Sequence, residues 1–498
     1  MNKKYIVSLD QGTTSSRAVI FDRRGEIVGI CSRPFRQIFP QPGWVEHNPM
    51  EILESQLGAL LDVMKLQNIL PEEICCIGIA NQRETIVLWD RITGKPVSNA
   101  IVWQCRRTSP ICQQLKDNGL EETIQNRTGL IIDSYFSGSK IKWMLDNIEG
   151  VRQKADNGEL IAGTIDTWLI WNLTGGRVHA TDYSNASRTM LYNIHTLSWD
   201  RELLGELGIP ESLLPKVVPS AGIIGETDEK LLGVRIPISG TAGDQSAALF
   251  GQTCYSRGSV KNTYGTGCFI LMNTGKEPVR TRNRLLTTIA WNIGDGVDYA
   301  LEGSVFNAGT AIKWLRDDLE LIDSPQHGDR LAESVDDTDG VYFVPAFTGL
   351  GAPYWDMYAR GTMIGLTRGT KREHIIRAAM ESIAYQSKDV FDAMVSDAGI
   401  ELKELKVDGG VSNSDFVMQF QADILGIPVI RPKTIETTAL GAAYLAGLGA
   451  GVWNTAEEIR NKWSAGKTYI PAMDEEQRRV RYETWERAVC RSMDWEKR

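Results

Sequence analysis

The chain has 498 residues, of which 42% are apolar and 23% are charged. These proportions are those of globular proteins and exclude a disordered or collagen-like chain, and the length predicts two or three domains. The formal net charge is -9 and no block of Lys or Arg occurs, which argues against a groove for nucleic acid. A small phosphorylated ligand is not excluded, because it needs only a few local donors.

Cysteine and histidine spacing indicates neither a disulfide framework nor a histidine metal helix. The eight cysteines include no C-x-x-C pair, and no two of the five histidines lie four residues apart. Asp10 interrupts the first apolar run too early for a signal peptide. The uncharged segment 437–456 has the length of a membrane span, but its four glycines favour a close-packed buried helix and a turn. We therefore predict a cytoplasmic protein of a reducing compartment, without membrane insertion and without a nucleic-acid partner.

In chain order, short β-branched runs bounded by Gly and Asp predict strands, which alternate with stretches at helical spacing. The strands are predicted at Tyr5–Leu9, Ala18–Phe21, Ile77–Ile79, Ile86–Trp89, Ser259–Thr263, Phe269–Met272, Val341–Val344 and Leu405–Val407. The clearest helix is predicted over Arg372–Met394, with Thr370 and Glu373 as a capping box, and another over Asp415–Leu425. Strands and helices interleaved in this way predict an α/β fold.

Two segments, one at the start and one in the middle of the chain, resemble each other. YIVSLDQGTTSSRAVIF begins at Tyr5 and SVKNTYGTGCFILM begins at Ser259, and each is typical of a strand, a Gly/Thr turn and a second strand. This short repeat indicates two related halves. We place the boundary near residue 250, which gives domains 1–250 and 251–498.

The first of three Gly-bearing turns that follow predicted strands spans Asp10–Arg17. Its glycine lets backbone N–H groups and the neighbouring Thr and Ser hydroxyls point at one spot, which suits phosphate oxygens, and Arg17 could add a charged fork. Asp10, at the strand end, is placed to hold a hydrated divalent cation. For this segment alone, the alternative is an ordinary β-hairpin capped by its hydroxyls.

The other two turns are Thr263–Cys268 and Asp408–Asn413. The second precedes a predicted helix, so its paired glycines would let a flat ligand lie against bare backbone at a helix N-terminus. Each turn alone is also explained as a purely structural turn. The three together favour a nucleotide site, in which two turns would bind phosphates and the third would contact the base. Neither a G-x-x-x-x-G-K-[ST] loop nor a G-x-G-x-x-G loop occurs, so a nucleotide would need another architecture.

Two pairs of polar residues are candidates for chemistry on a hydroxyl-bearing substrate. The Asp244 carboxylate could accept a proton from a substrate hydroxyl, with the Gln245 amide fixing a second hydroxyl, although a capped turn before a helix is the alternative. Arg83 and Glu84 would point to opposite faces of an extended segment, and a solvated turn is the alternative there. Aromatic residues nearby in the sequence could line a small-polyol site or merely pack: Trp103, Tyr135 and Phe136.

Taken together, these segments resemble the FGGY carbohydrate kinases over essentially the full length of the chain. The similar segments, in the order in which the family has them, are DQGTTSSRAVIFD, GWVEHNP, NQRET, AIVWQCRRT, TDYSNASRTML, GDQSAALFGQ, YGTGCFILMNT, ALEGSVF, FVPAFTGLGAPYWD and VDGGVSNSDFVMQFQADIL, with the two family-wide signatures YFSGSKIKWMLDN and GTMIGLTRGTKREHIIRAAMES. The segments NQRET, WQCRRT and SNASRTML are similar to the members that act on glycerol rather than on xylulose, gluconate or fuculose.

The resemblance implies an actin-like ATPase (ribonuclease H-like) fold, in which two α/β domains, each with a mixed five-stranded sheet, flank a catalytic cleft. It implies ATP-dependent, Mg²⁺-assisted phosphorylation of glycerol to sn-glycerol 3-phosphate, in a homo-oligomer that is a dimer or a tetramer.

The resemblance also implies three sets of site residues. The resemblance implies ATP binding by Thr13, Thr14, Ser15, Arg17, Thr266, Gly309, Lys313, Gly410 and Ser414. It implies glycerol binding by Arg83, Glu84, Trp103, Tyr135, Asp244, Gln245 and Phe269. It implies Mg²⁺ binding and catalysis by Asp10 and Asp244, with Asp244 as the general base.

The chain departs from the family at three places. The family usually has an asparagine where this chain has Ser414, so the adenine-side contact is left open. Enteric homologues bind fructose 1,6-bisphosphate in a Gly- and Lys-rich loop where this chain has TDEKLLGVR, with Arg235 as the remaining donor beside two carboxylates. Many Gram-positive homologues carry a histidine in this region that a phosphocarrier protein phosphorylates, whereas residues 196–326 contain none. We therefore expect neither form of regulation.

Two other functions remain open at this stage. One is a kinase of the same family for another polyol or triose, with dihydroxyacetone as the nearest candidate. The other is a nucleotide-gated binding protein of the same fold that transfers no phosphoryl group. A complete polyol-site set disfavours the second alternative, because a protein without catalysis does not need it.

Overall fold

The structure is a computed structural model that describes residues 3–496, so the outermost residues of the predicted domains 1–250 and 251–498 lie outside the described residues. The strands of the first half are β1 Tyr5–Gln11, β2 Ser15–Asp22, β3 Ile27–Pro34, β4 Glu46–His47, β5 Ile74–Asn81, β6 Ile86–Asp90, β7 Ala100–Ile101, β8 Leu160–Thr164, β9 Ala180–Asp182, β10 Tyr192–Asn193, β11 Ser198–Trp199, β12 Lys216–Val218, β13 Ala221–Glu226 and β14 Pro237–Gly243. Its helices are α1 Pro49–Gln67, α2 Ser109–Asp117, α3 Glu121–Thr128, α4 Ser137–Asn147, α5 Val151–Asp156, α6 Ile165–Leu173, α7 Tyr183–Ala186, α8 Arg201–Leu207, α9 Glu229–Leu232 and α10 Asp244–Gly251.

The second half has the strands β15 Val260–Tyr264, β16 Cys268–Gly275, β17 Leu286–Asn292, β18 Val297–Val305, β19 Tyr342–Val344, β20 Thr362–Ile364, β21 Leu405–Asp408, β22 Val429–Pro432 and β23 Ala465–Tyr469. Its helices are α11 Gly309–Lys313, α12 Pro325–Glu333, α13 Arg372–Ala398, α14 Asp415–Leu425, α15 Thr437–Gly449, α16 Ala456–Arg460 and α17 Glu475–Ser492. Short 3₁₀ turns lie at Pro71–Glu73, Glu211–Leu213 and Gly410–Asn413, and a π turn lies at Trp314–Asp318. All the predicted strands and both predicted helices are present, with ends that differ by a few residues.

The two large sheets repeat one topology. The first has the order β3-β2-β1-β5-β14-β13 and the second contains the order β18-β16-β15-β21-β22-β23. In both, the first two pairings are antiparallel, the next two are parallel and the last is antiparallel. The two related halves predicted from the short repeat are therefore real. The expected count of five strands per sheet is wrong, because β13 extends the first sheet to six strands, and β17 and β23 extend the second to seven.

Helices cover both faces of the first sheet, which explains why β5 is buried along its whole length. Apolar residues of α1 and α6 pack on one face. Helices α10 and α15 pack on the other face, although α15 comes from the second half of the chain. An added Cβ at Gly78 would meet the Ala442 carbonyl and one at Gly441 would meet the Ala247 carbonyl, so the backbones touch directly. A boundary near residue 250 therefore separates the two large sheets, but α15, from beyond that boundary, forms part of the core of the first sheet.

Helix α15 accounts for the uncharged segment 437–456. It ends at Gly449, and its residues from Ala439 to Gly447 are buried, in agreement with a buried helix followed by a turn. Among residues 3–496, no helix is both long enough and apolar enough to cross a membrane.

The predicted capping box of the long helix is wrong. Helix α13 begins one residue later than Thr370 would require, with Lys371 as its N-cap. The Nδ1 atom of His374 accepts a hydrogen bond from the Lys371 backbone N–H at 3.2 Å, while the Thr370 hydroxyl accepts from the backbone N–H of Thr367 at 2.9 Å. The Thr370 hydroxyl is therefore used within its own turn.

Candidate active site

The turn between β1 and β2 has the tight geometry predicted for a phosphate loop. The backbone N–H of Gly12 donates to the Ser15 carbonyl at 3.0 Å, and Thr14 at its tip is exposed. The Thr13 hydroxyl accepts a hydrogen bond from the Trp103 indole N–H at 3.1 Å, which ties the loop to the aromatic side of the cleft. The loop therefore leaves Thr14 accessible at its tip.

Arg17 on β2 joins the two halves of the chain. It donates to Asp10 Oδ2 at 2.5 Å and to Glu436 Oε2 at 2.7 Å, and Glu436 lies directly before α15. Asp10 is buried; burial raises the pKa of its carboxyl, and the opposing attraction of Arg17 does not fully offset this. Arg17 would have to exchange one of these carboxylates for a phosphate to play its predicted part.

The second half supplies a matching turn between β15 and β16. Gly265 and Thr266 are exposed at its tip, and the Thr266 carbonyl accepts from the backbone N–H groups of Ala308 at 2.9 Å and of Thr310 at 3.2 Å. A Cβ at Gly309 would come within 2.5 Å of the Gly265 carbonyl oxygen, so only glycine lets α11 start so close to the turn. Lys313 ends α11 and is exposed.

The paired glycines after β21 have different tasks. Gly409 has φ of 85°, and a Cβ there would come within 2.4 Å of the Tyr264 carbonyl oxygen, so this position requires glycine. Gly410 is exposed and faces open space, as a surface for a flat ligand requires.

Ser414 is buried and donates to Asp329 Oδ1 at 2.6 Å, while it caps α14 by accepting from the Val417 N–H. The Ser414 hydroxyl is thus engaged inside the protein, and its predicted ATP contact stays a prediction.

Asp244 begins α10 directly after β14, at the carboxyl end of a parallel strand. Its Oδ1 accepts from the Gln245 backbone N–H at 2.7 Å and lies 3.1 Å from Arg83 Nε. The side chain is 33% exposed, so it is accessible to solvent. Burial raises the pKa of Asp244, and Arg83 and Lys261 oppose this rise. A raised pKa brings a carboxylate closer to the basicity that a general base needs.

Arg83 is not a solvated turn residue but the centre of a buried charge cluster. Its Nη1 and Nη2 donate to the two carboxylate oxygens of Glu302, on β18 of the other sheet, at 2.5 and 2.8 Å. Although burial alone raises the pKa of Glu302, Arg188 and Arg83 hold it at about 2. Arg83 therefore presents mainly its Nε side to Asp244.

Glu84 is also buried, and it pairs with a different arginine. Its Oε1 accepts from Arg188 Nε at 2.6 Å and lies 3.9 Å from Arg83 Nε. The backbone of Glu84 has φ of 59°, an uncommon conformation for a residue with a side chain. Such local strain is typical of functional sites. Arg83 and Glu84 do not simply pair with each other, which agrees with the sequence analysis. The reason is the left-handed backbone at Glu84 rather than an extended segment.

Aromatic rings from both halves meet edge to face beside these charges. The centroid of Trp103 lies 5.6 Å from that of Tyr135 and 6.5 Å from that of Phe269 on β16. Lys261 links Gln245 to this group, because its Nζ donates to Gln245 Oε1 at 2.5 Å and to the Phe269 carbonyl at 3.2 Å. The predicted glycerol-site residues are therefore brought together between the two sheets.

Two carboxylates could share a divalent cation. Asp10 lies near the end of β1, and Asp244 directly follows β14; these two strands belong to the same sheet and are separated by β5. Over residues 3–496, no group of three or more His, Cys, Asp or Glu side chains is arranged to hold a metal by itself. Mg²⁺ needs only one or two carboxylates when phosphate oxygens and water complete its octahedron. The donor set therefore fits a Mg²⁺ that binds with a nucleotide.

Four charged residues around the cleft were missed by the reasoning from sequence: Arg188, Lys261, Glu302 and Glu436. The available signal was a charged residue inside a strand, as in VKNTY for Lys261 and VDYALEGSV for Glu302. A buried charge in a strand requires a partner. Such a signal identifies a partnered charge but not its partner.

Comparison with known proteins defines the class. The model of the N-terminal domain of the FGGY family of carbohydrate kinases matches residues 5–251, and that of the C-terminal domain matches residues 260–450. The chain therefore belongs to the FGGY family of carbohydrate kinases.

Its relatives include glycerol kinases along the whole chain. The glycerol kinase of Caldanaerobacter subterraneus subsp. tengcongensis is 62% identical over 492 residues, with 99% of both chains covered. Glycerol kinase 2 of Thermotoga maritima is 60% identical over 495 residues, which cover 99% of this chain and 100% of the relative. The crystal structure of Plasmodium falciparum glycerol kinase with ADP matches with a TM-score of 0.93 and 38% identity, covering 99% of this chain and 98% of that one. A ligand-bound xylulose kinase from Lactobacillus acidophilus matches with a TM-score of 0.88 and 25% identity, over 98% of this chain and 97% of that one.

Proposed function

We propose that this enzyme transfers the γ-phosphoryl group of ATP to glycerol and forms sn-glycerol 3-phosphate. The observation that carries the proposal is the position of Asp244, which lies accessible beside the Arg83 and Glu84 cluster. The Trp103 and Phe269 rings supply apolar contact for a short carbon chain, and the charged groups supply hydrogen bonds for hydroxyls. The similarity to glycerol kinases along the full chain supports the same substrate.

In this mechanism Asp244 takes the proton of one terminal hydroxyl of glycerol as that oxygen attacks the γ-phosphorus in line. The bond between the γ-phosphorus and the bridging oxygen breaks, and ADP leaves with the electron pair. Phosphoryl transfer depends mainly on positioning and on stabilising the negative charge that spreads over the phosphate oxygens. The proposed donors are backbone N–H groups and hydroxyls of the two facing turns, at Thr14 and Thr266, together with Arg17. The accessible carboxylate of Asp244 supports its assignment as the base.

Asp10 and Asp244 would hold Mg²⁺. The ion would neutralise charge on the nucleotide phosphates when it is bound. The nucleotide base would lie against Gly410, near Lys313, and closure of the two domains would exclude water, a competing nucleophile. Assembly into a dimer or tetramer and a cytoplasmic location stay predictions.

The proposal is tested by measuring ATP consumption with and without glycerol. We expect rapid ATP turnover only when glycerol is present, because the attacking oxygen belongs to glycerol. Chiral analysis of the product should identify sn-glycerol 3-phosphate. Equal ATP hydrolysis without glycerol would contradict the kinase assignment. Phosphorylation rates with C3 to C5 polyols and with dihydroxyacetone, measured in parallel, identify the preferred substrate. A faster rate with one of these compounds than with glycerol would make that compound the assigned substrate.

Regulation by fructose 1,6-bisphosphate should be weak or absent. The TDEKLLGVR segment forms the short helix α9 rather than an open glycine loop, and Asp228 caps it by accepting from the Lys230 N–H at 3.0 Å. A doubly phosphorylated anion needs clustered donors, which backbone glycines supply, whereas Asp228 and Glu229 would repel it. Inhibition is measured as glycerol-dependent rate against effector concentration. Strong inhibition at micromolar concentrations would mean that an effector site exists elsewhere.

A further inference from the structure

The charge cluster around Arg83 is shared between the two domains in an unequal way. Arg83 and Arg188 belong to the first half, on loops that follow β5 and α7, whereas Glu302 lies in the middle of β18 in the second sheet. Glu302 is fully buried and binds both arginines: Arg83 through two hydrogen bonds of 2.5 and 2.8 Å, and Arg188 through one of 3.2 Å. One carboxylate of the second domain thus holds two guanidinium groups of the first.

Each of these arginines also contacts a carboxylate with a part in the proposed reaction. Arg83 Nε lies 3.1 Å from Asp244 Oδ1, and Arg188 Nε donates to Glu84 Oε1 at 2.6 Å. Glu302 itself has no exposed surface, so it cannot touch a substrate in the cleft. The hydrogen bonds of the Glu302 carboxylate therefore reach the proposed site through Arg83 and Arg188.

The geometry at Arg83 shows what Glu302 prevents. A guanidinium group favours a bidentate pair with one carboxylate, through two parallel N–H donors. Glu302 takes the Nη1 and Nη2 side of the fork, which leaves Nε for a single contact with Asp244. Without Glu302, Arg83 would be free to turn its fork to Asp244 and occupy both carboxylate oxygens. An Asp244 bound in that way would be drawn away from the substrate hydroxyl.

Arg188 depends on Glu302 in a similar way. Its Nη1 is buried and has no hydrogen-bond partner within the described chain, so the two carboxylates on Nε and Nη2 are its hydrogen-bond acceptors there. Its Cζ also lies 5.5 Å from the Tyr135 ring centroid. Loss of Glu302 would release one side of Arg188 and loosen the orientation of Glu84 and Tyr135, two of the proposed glycerol contacts.

We propose that Glu302 is a positioning residue for phosphoryl transfer, which acts from the second domain through Arg83 on Asp244 and through Arg188 on Glu84. The inference rests on the proposed function, because it concerns the same reaction. It predicts that the contact across the domain boundary sets both the rate of transfer and the affinity for glycerol. Nucleotide affinity is not involved, because neither arginine lies on the phosphate turns.

The test is steady-state kinetics of Glu302→Gln, which keeps the side-chain shape but removes the charge. We expect kcat to fall by about 10- to 100-fold, the range expected when a reacting group is misplaced. The KM for glycerol should rise, and the KM for ATP should stay unchanged within error. A general structural defect would not produce this separation of the two substrates. Wild-type rates and wild-type KM values in the variant would overturn the inference.

Glu381→Gln is the matched control. Glu381 is likewise buried in the second half and paired with two arginines, Arg377 at 2.8 Å and Arg481 at 3.8 Å. Arg377 also donates to the backbone carbonyls of Ala332 and Val335, which are not among the proposed site residues. Its kcat and both KM values should remain those of the wild type. If Glu381→Gln lost activity in the same pattern as Glu302→Gln, loss of any buried charge would explain the result and the inference would fall.

Two further variants keep the inference testable if Glu302→Gln does not fold. Glu302→Asp retains the charge between the arginines but is too short to bridge both, so kcat should still fall, by less than in the glutamine variant. In an Arg83→Ala background, Glu302→Gln should reduce kcat no further, because its effect on Asp244 passes through Arg83. Full kcat in Glu302→Asp, or fully additive losses in the double variant, would each contradict the inference. A wild-type enzyme inactive with glycerol would instead contradict the proposed function.

Discussion

Replacing Asp244 with asparagine is expected to remove most of the turnover while the fold and ATP binding persist. Asparagine has nearly the same size and can still accept the Gln245 N–H and bind a glycerol hydroxyl, so packing and substrate position should survive. A neutral amide cannot accept the proton, because its basicity is negligible. General-base assistance is typically worth ~10²–10⁴ in rate, or roughly 3–5 kcal/mol of barrier.

The loss should appear mainly in kcat, with a much smaller change in glycerol affinity. Steady-state kinetics measures it, and circular dichroism serves as the folding control. Asp298→Asn is a matched variant, because Asp298 is a partly buried aspartate paired with Lys276 at 3.0 Å, away from the cleft. It should keep wild-type kcat. A folded Asp244→Asn enzyme with more than about a tenth of wild-type kcat would leave the proton acceptor unassigned.

Replacing Arg83 with alanine should weaken glycerol use much more than nucleotide binding. The change removes the guanidinium group beside Asp244 and leaves the buried Glu302 carboxylate, among residues 3–496, with the 3.2 Å hydrogen bond from Arg188 alone. Breaking a buried ion pair by removing one partner commonly costs about 3–5 kcal/mol, so the free energy of unfolding should fall as well. Isothermal titration with glycerol and with ADP, each at a temperature where the variant is folded, measures the two affinities.

Arg377→Ala separates the stability effect from the site effect. Arg377 pairs with the buried Glu381 at 2.8 Å in α13, so its loss should also lower the free energy of unfolding, but glycerol affinity should remain that of the wild type. Urea unfolding of both variants gives the comparison. If Arg83→Ala lost nucleotide affinity selectively and kept glycerol affinity, the assignment of residues to the two substrates would be wrong.

Much of the fold was predictable because its signals are local. Strand runs such as Tyr5–Leu9 and the helix at Asp415–Leu425 depend on periodicity and on turn residues, which lie within a few positions of each other. The extra strands β13, β17 and β23 lie at sheet edges, and their pairing depends on contacts between distant parts of the fold. The repeat of the two sheets was visible only at their first turns, although the whole topology is repeated.

The candidate site was predictable as a set of residues but not as a set of contacts. Arg83 and Glu302 lie 219 positions apart, and Arg188 and Glu302 lie 114 positions apart, so no local pattern joins them. Ser414 makes one contact of each kind. Its role as the N-cap of α14 depends on neighbouring residues, whereas its hydrogen bond to Asp329 depends on tertiary packing. Partners of buried charges are decided by tertiary packing, which a single sequence does not display.

The packing of α15 on the first sheet has a consequence for how the chain folds as it is synthesised. The apolar side of the first sheet that includes Ala80 and Ala242 is completed only by residues of α15, such as Ala442 and Leu445. A ribosome adds ~5–20 residues per second, so the roughly 200 residues from the end of α10 to the end of α15 take about 10–40 s. During that interval the emerging first half exposes to water the part of this apolar face that α10 does not cover. Fragments that end near residue 250 should therefore aggregate, and a nascent chain of this length is a natural client for a chaperone.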